Sequence, residues 1–199
     1  MTRQIILASG STTRQSMLRQ AGVEFTSILA RVDEDSIKAS LLAEEANPRD
    51  IADTLAEFKA RRVADKNPEA LVIGSDQVLE LERETLSKPS SPEEAIAQLT
   101  KMSGKQHKLL SAVVIYEDAK PVWRTVGQVR LMMRTLNPPF IESYVSRNWE
   151  EIQHCVGAYQ LEAEGARLFA RVDGDYFTVL GMPLLDVLSY LTMSGAIDG

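Results

Sequence analysis

Ile5-Ile6-Leu7-Ala8-Ser9-Gly10-Ser11-Thr12-Thr13-Arg14 changes character between Leu7 and Ser9, and the rest of the chain is read outward from that change. Ile5, Ile6 and Leu7 make the β-branched and aliphatic run of a buried strand, which the small hydroxylated residues and Gly10 then stop. A helix is expected next. Thr12 with Gln15 three residues on has the spacing of a capping box, Met17, Leu18 and Ala21 supply an apolar face, and Gly22 ends it. The loop thus stands at a helix N-terminus, where free backbone N–H groups, the Ser9 and Ser11 hydroxyls and the Arg14 guanidinium can converge on an anion such as phosphate. An ordinary strand-to-helix turn with a solvated arginine accounts for the same residues, and no Walker-type Gly-Lys-Ser/Thr follows. Other stretches have to decide between the two.

Composition narrows the field. The 199 residues, 44% hydrophobic and 25% charged, suffice for one domain with one sizeable core or two lobes on one sheet. A net charge of −6 argues against a partner wrapped for its nucleic-acid backbone, since such binding is driven by many basic residues. One cysteine, Cys155, excludes an internal disulfide, and two histidines cannot build a Cys/His zinc site. No apolar run approaches the roughly 20 residues of a membrane span, and Met1-Thr2-Arg3-Gln4 lacks the apolar stretch of a signal peptide. A soluble protein of a reducing cytoplasm, with no nucleic-acid or membrane partner, is expected.

Further along, residues 25–28 read as a short strand and Asp33-Glu34-Asp35 as an acidic turn, either solvated or offering oxygen ligands to a hard cation such as Mg²⁺. Asn47 and Pro48 open a helix whose one side is traced by Ile51, Leu55, Phe58 and Arg62. Lys59 projects beside that stripe, either as a surface lysine or with its ammonium reaching a cleft. Leu71-Val72-Ile73 is a second buried strand that ends in Gly74-Ser75-Asp76-Gln77, which places Asp76 at the mouth of a sheet. Residues 78–81 extend the strand, and Lys88-Pro89 precedes a helix capped by Ser91, with Pro92 first, Glu94 completing the box, and Ala95, Ile96, Leu99 and Met102 inward. Residues 107–116 and 122–133 form a long antiparallel hairpin, in which His107 is structural. A short helix from Pro138, an irregular stretch over 154–162, a strand over 167–172 and a last amphipathic helix over 184–193 complete the chain. The pattern is an α/β protein with a mixed sheet and a long antiparallel hairpin, a single domain over 1–199.

An ordered set of short matches then carries a resemblance: Leu7-Ala8-Ser9-x-Ser11-x-x-Arg14, Val32-Asp33-Glu34, Leu55-Ala56-x-x-Lys59-Ala60, Gly74-Ser75-Asp76, Lys88-Pro89, Ser103-Gly104-x-x-His107, Gly157-Ala158-Tyr159 and Gly181-Met182-Pro183-Leu184. The sequence resembles the Maf family of nucleotide pyrophosphatases along nearly its whole length. The resemblance implies a two-lobed fold like that of the inosine-triphosphate pyrophosphatases, a homodimer in many members, and hydrolysis of nucleoside triphosphates to monophosphate and pyrophosphate with a divalent metal (Mg, Mn or Co). Carried over by position, it makes Asp76 the catalytic proton acceptor, Ser9, Ser11, Arg14, Lys59 and Lys88 the triphosphate-binding groups, and Glu34 a metal ligand.

Three further positions separate base specificities within the family. The dTTP/UTP branch carries arginine, threonine and glutamine there, and the branch resembling 7-methyl-GTP pyrophosphatase carries tryptophan, glutamine and glutamate. Here they are Thr13, Gln77 and Glu162: the last two match the second branch and Thr13 matches neither. Glu162 also follows from chemistry, because a carboxylate can accept both N1–H and the 2-amino group of guanine but opposes the carbonyls of uracil. The expectation is a metal-dependent pyrophosphatase acting on 7-methyl-GTP or another modified purine triphosphate. Its alternatives are a dTTP/UTP pyrophosphatase and a non-catalytic nucleotide-binding regulator of cell division.

Overall fold

Ile5–Leu7 forms the first strand, β1, with all three residues buried. It runs parallel to β2 (Thr26–Ser27) and to β3 (Leu71–Leu81), pairing Ile5 with Leu71 and Leu7 with Ile73. The structure is a computed structural model describing residues 3–198; Met1, Thr2 and Gly199, which the single-domain and signal-peptide readings also cover, lie outside the described residues.

Helix α1 (Thr12–Gln20) is capped by Ser11 rather than Thr12, because Ser11 keeps extended backbone and its hydroxyl accepts from the Arg14 amide at 3.3 Å. The acidic turn is corrected too: Asp33 accepts from the Ser36 amide at 3.1 Å and caps α2 (Glu34–Ala43), placing Glu34 in a helix. No residue of α2 is buried, so no apolar period marks it in the sequence. Helix α3 (Pro48–Ala64) starts at Asn47 and Pro48 as expected. Its inward side is Ile51, Ala52, Leu55, Ala56, Lys59, Ala60, Val63 and Ala64, while Phe58 and Arg62 are exposed. Small residues turn inward here because the helix lies close on the sheet.

Strand β3 does not end at Ile73 but runs unbroken to Leu81, held by pairing with β5 (Gln106–Glu117) from Val72↔Tyr116 to Glu80↔Lys108. Asp76 is therefore a mid-strand residue. β4 (Glu84–Leu86) folds back on the end of β3, and α4 (Pro92–Met102) begins at the Ser91 cap. β5 and β6 (Lys120–Met133) make the long hairpin through the two-residue turn Asp118-Ala119, both with positive φ (50° and 57°), tighter than the loop expected. The helix from Pro138 is not short: α5 (Pro138–Ile152) has 15 residues because Ile152 extends the buried stripe of Ile141, Tyr144 and Val145. A 3-10 turn at Glu164–Leu168 delays β7 to Phe169–Asp173, and α6 (Tyr176–Val179) precedes α7 (Leu184–Met193), which falls where the sequence placed it.

Among the described residues the sheet has seven strands, in the order β2-β1-β3-β5-β6-β7, with β4 on β3. Alternation sorts its side chains. Val72, Val78, Ala112 and Val114 pack under α3, Leu71, Ile73, Val113 and Ile115 face α1 and α7, and Leu79, Leu81, Leu109 and Leu131 face α4 and α5. The expected two lobes are the two halves of this sheet. They meet where β1 leaves β3: the Ala8 amide donates to the Ile73 carbonyl at 2.8 Å, and β4 joins only at Leu79. Among the described residues, positions 74–78 of β3 thus have a strand neighbour on one side only.

Candidate active site

That gap is the floor of a cleft of about 680 Å³. Gly74 sets its geometry, since a Cβ there would stand 2.3 Å from the Ala56 carbonyl oxygen and 2.6 Å from the Ala60 nitrogen. With no side chain in the way, the backbone of α3 rests on β3 and delivers Lys59 to Asp76 two residues along. Lys59 Nζ donates to Asp76 Oδ1 at 2.6 Å and lies 3.0 Å from Glu34 Oε2. Lys59 and Asp76 are both buried, whereas Glu34 is exposed at the mouth. Two carboxylates thus share one ammonium, an arrangement that an arriving phosphate can open by offering the lysine a new partner.

The N-terminal loop closes the next side of the cleft. Ser9 Oγ accepts from the Ser11 amide at 3.2 Å, and Ser27 Oγ donates to the Ser9 carbonyl at 2.8 Å. Arg14 Nε donates to the Gly181 carbonyl at 2.8 Å, and Ser75 Oγ donates to the same oxygen at 3.1 Å. Gly181 is required on two counts, a φ of 109° and the approach of the guanidinium, whose Nε and Nη2 lie 3.3 Å from where its Cβ would be. Burial lowers the Arg14 pKa, and Asp76 and Glu34 oppose that shift. An arginine stays protonated regardless, so the loop presents a fixed, partly desolvated cation.

Gln77 points to the opposite face of β3 from Asp76. Its Nε2 donates to Ser111 Oγ at 3.0 Å and to the carbonyls of Thr178 and Val179 at 3.2 and 3.0 Å. Two carbonyl acceptors fix which amide atom is nitrogen, so Oε1 is left as an acceptor for a ligand. Thr13 on α1, Lys88 and Glu162 stand around the same cleft, the last two exposed. Cys155 lies among them, its pKa raised to about 11 by burial and by Glu162. Tyr159 walls the cleft with its hydroxyl 2.8 Å from His107 Nε2, and His107 is buried, as its structural assignment expects.

All ten residues singled out in the sequence, Ser9, Ser11, Thr13, Arg14, Glu34, Lys59, Asp76, Gln77, Lys88 and Glu162, line this one cleft. Lys38 lines it too and was missed, although its place four residues after Glu34 puts it on the same side of a helix once that helix is recognised. Among the described residues no cluster of three or more His, Cys, Asp or Glu side chains could hold a metal. Glu34 and Asp76, bridged by Lys59, fit a cation such as Mg²⁺ that takes one or two carboxylates and completes its shell with substrate phosphate and water. They do not form a cage made by protein alone.

Comparison with known proteins adds a name to this geometry. The family described as Maf-like protein matches residues 4–194. The chain is 59% identical over 198 residues to the nucleoside triphosphate pyrophosphatase of Ruegeria pomeroyi, covering 100% of each. It is 46% identical over 193 residues to the protein of the same name from Caulobacter vibrioides, covering 97% of this chain and 96% of the relative. It is also 46% identical over 199 residues to the 7-methyl-GTP pyrophosphatase of Brucella abortus, covering 100% of both. No helix among the described residues is long and apolar enough to cross a membrane.

Proposed function

Since the chain belongs to the Maf-like protein family and its full-length relatives are nucleoside triphosphate pyrophosphatases, we propose that it is such an enzyme acting on 7-methyl-GTP, which it cleaves to the monophosphate and pyrophosphate. The observation that supports this base is the locked amide of Gln77. With Nε2 committed to the protein, Oε1 and the Glu162 carboxylate offer the base acceptors only, a match for the adjacent N1–H and 2-amino donors of guanine. The positive charge that N7-methylation places on the ring is favoured by a nearby carboxylate as well.

In this reading water attacks the α-phosphate, and Asp76 orients it and takes its proton. As the triphosphate enters, Lys59 transfers its hydrogen bonds from Asp76 to phosphate oxygen, which frees the carboxylate at the moment it is needed. Arg14, Lys88, the Ser9 and Ser11 hydroxyls and the start of α1 offset charge on the phosphoryl oxygens. A divalent cation, which Glu34 would hold at the mouth of the cleft, would supply further neutralisation of the phosphate charge.

The test is pyrophosphate release from a panel of 7-methyl-GTP, GTP, dTTP and UTP, with Mg²⁺, Mn²⁺, Co²⁺ or chelator, for the wild-type protein and Glu162→Gln. The exchange turns an acceptor into a competing donor, so the ratio of kcat/KM for 7-methyl-GTP to that for UTP should fall roughly 10-fold or more, less if water at the exposed rim satisfies the unmatched donor. An unchanged ratio removes Glu162 from base reading. A wild-type preference for UTP or dTTP selects the pyrimidine alternative, and no turnover with any nucleotide selects the regulator.

A further inference from the structure

Lys38 stands on α2 one turn beyond Glu34, but the two side chains part. Glu34 goes to Lys59, and Lys38 Nζ crosses the cleft to donate to Ser87 Oγ at 2.7 Å. Lys59 is shared by two carboxylates, whereas among the described residues Lys38 forms no ion pair; its bonded partner is a neutral hydroxyl. A half-buried ammonium with so weak a partner, at the wall of a cleft, is poised to exchange it for an anion, because a charge-assisted hydrogen bond is roughly twice as strong as one to a neutral group. Burial lowers the Lys38 pKa while Asp76 and Asp35 raise it, which places the group within the field of the reacting centre.

Direction follows from the strand. Gln77 faces α6, and Asp76, Lys59, Glu34 and Lys38 all lie on the other face, with α3 and α2. A nucleotide whose base is read at Gln77 and whose α-phosphate is attacked beside Asp76 extends its remaining phosphates away from the base, toward α2. Ser87, the present partner of Lys38, directly precedes Lys88, and both lysines line the same cleft.

We infer that Lys38 is a further phosphate-binding residue, which exchanges Ser87 for the pyrophosphate half of the substrate and holds that group as it departs. The inference rests on the reading of Asp76 as the reacting centre, but not on which base is accepted.

Inorganic pyrophosphate tests it without any base. Its binding by calorimetry and its inhibition of turnover are measured at fixed Mg²⁺ for wild type, Lys38→Ala, Lys38→Arg and Ser87→Ala, alongside KM and kcat for the preferred triphosphate and circular dichroism for folding. Lys38→Ala should weaken pyrophosphate and raise KM by roughly 10-fold or more, with kcat changed far less. Lys38→Arg should restore most of the loss, and Ser87→Ala, which breaks the tie but keeps the ammonium, should change neither value. Unchanged pyrophosphate affinity in Lys38→Ala overturns the inference. So does an equal loss in Ser87→Ala, which would make Lys38 a structural strap. If the base assignment alone is wrong, the panel of triphosphates shows it while the pyrophosphate titration still reads Lys38.

Discussion

Asp76, the proposed proton acceptor, is already engaged in the structure, its Oδ1 hydrogen-bonded by Lys59 at 2.6 Å. Replacing it by Asn keeps the shape and the hydrogen bond but removes the proton acceptor. Turnover of Asp76→Asn should therefore fall by roughly 10²–10⁴, while nucleotide affinity, measured by calorimetry, stays within a few fold. Retained turnover would take Asp76 out of the mechanism. At this scale the sequence was informative where a residue's chemistry is unusual for its position, such as a lysine beside an apolar stripe or an acid after a Gly-Ser pair. It was silent on how amide and ammonium groups are already engaged. Nothing in the order of residues shows that Gln77 spends its nitrogen on Thr178 and Val179, a hundred residues away, or that Lys38 ends on Ser87.

Elements were legible in proportion to their burial. α3 and α4 declare themselves through caps and a buried side, and α7 through its apolar period, whereas α2 buries no residue and left no period to read. The β-type run in the sequence ends at Ile73 because glycine and aspartate are poor strand formers, but pairing with β5 carries β3 on through Gly74 and Asp76. Gly74 also carries the contact between α3 and β3. Gly74→Ala places a methyl 2.3 Å from the Ala56 carbonyl oxygen, backbone that cannot rotate away, and should cost about 1–3 kcal/mol or more. A urea titration followed by circular dichroism reads that cost as a lower midpoint. Activity should fall even where the variant is fully folded, since pushing α3 off the strand separates Lys59 from Asp76.

On the scale of the whole molecule, the lobe formed by α4, α5 and the far end of the sheet closes around His107. Desolvation holds its pKa at about 4, down from 6.5, so the folded protein keeps the ring neutral where the unfolded chain would protonate it. Between those two values the unfolded state binds more protons, so the contribution is complete above about pH 6.5 and is lost as pH falls toward 4, a span worth roughly 3 kcal/mol. Thermal melts from pH 7 to 4 should show Tm falling through that window, and His107→Gln should flatten the fall even if it lowers Tm at pH 7. The same slope in the variant would assign the acid sensitivity to other groups. One further property follows from Asp76 and Gln77 being neighbours on a single strand that face opposite ways. With the proposed roles of these two residues, a point mutation at codon 77 would alter which nucleotide is accepted while leaving the hydrolytic apparatus in place. Gain or loss of one codon just before Asp76 would instead tend to exchange the two orientations and abolish both functions together, so this lineage can diversify by substitution but not by indels within that strand.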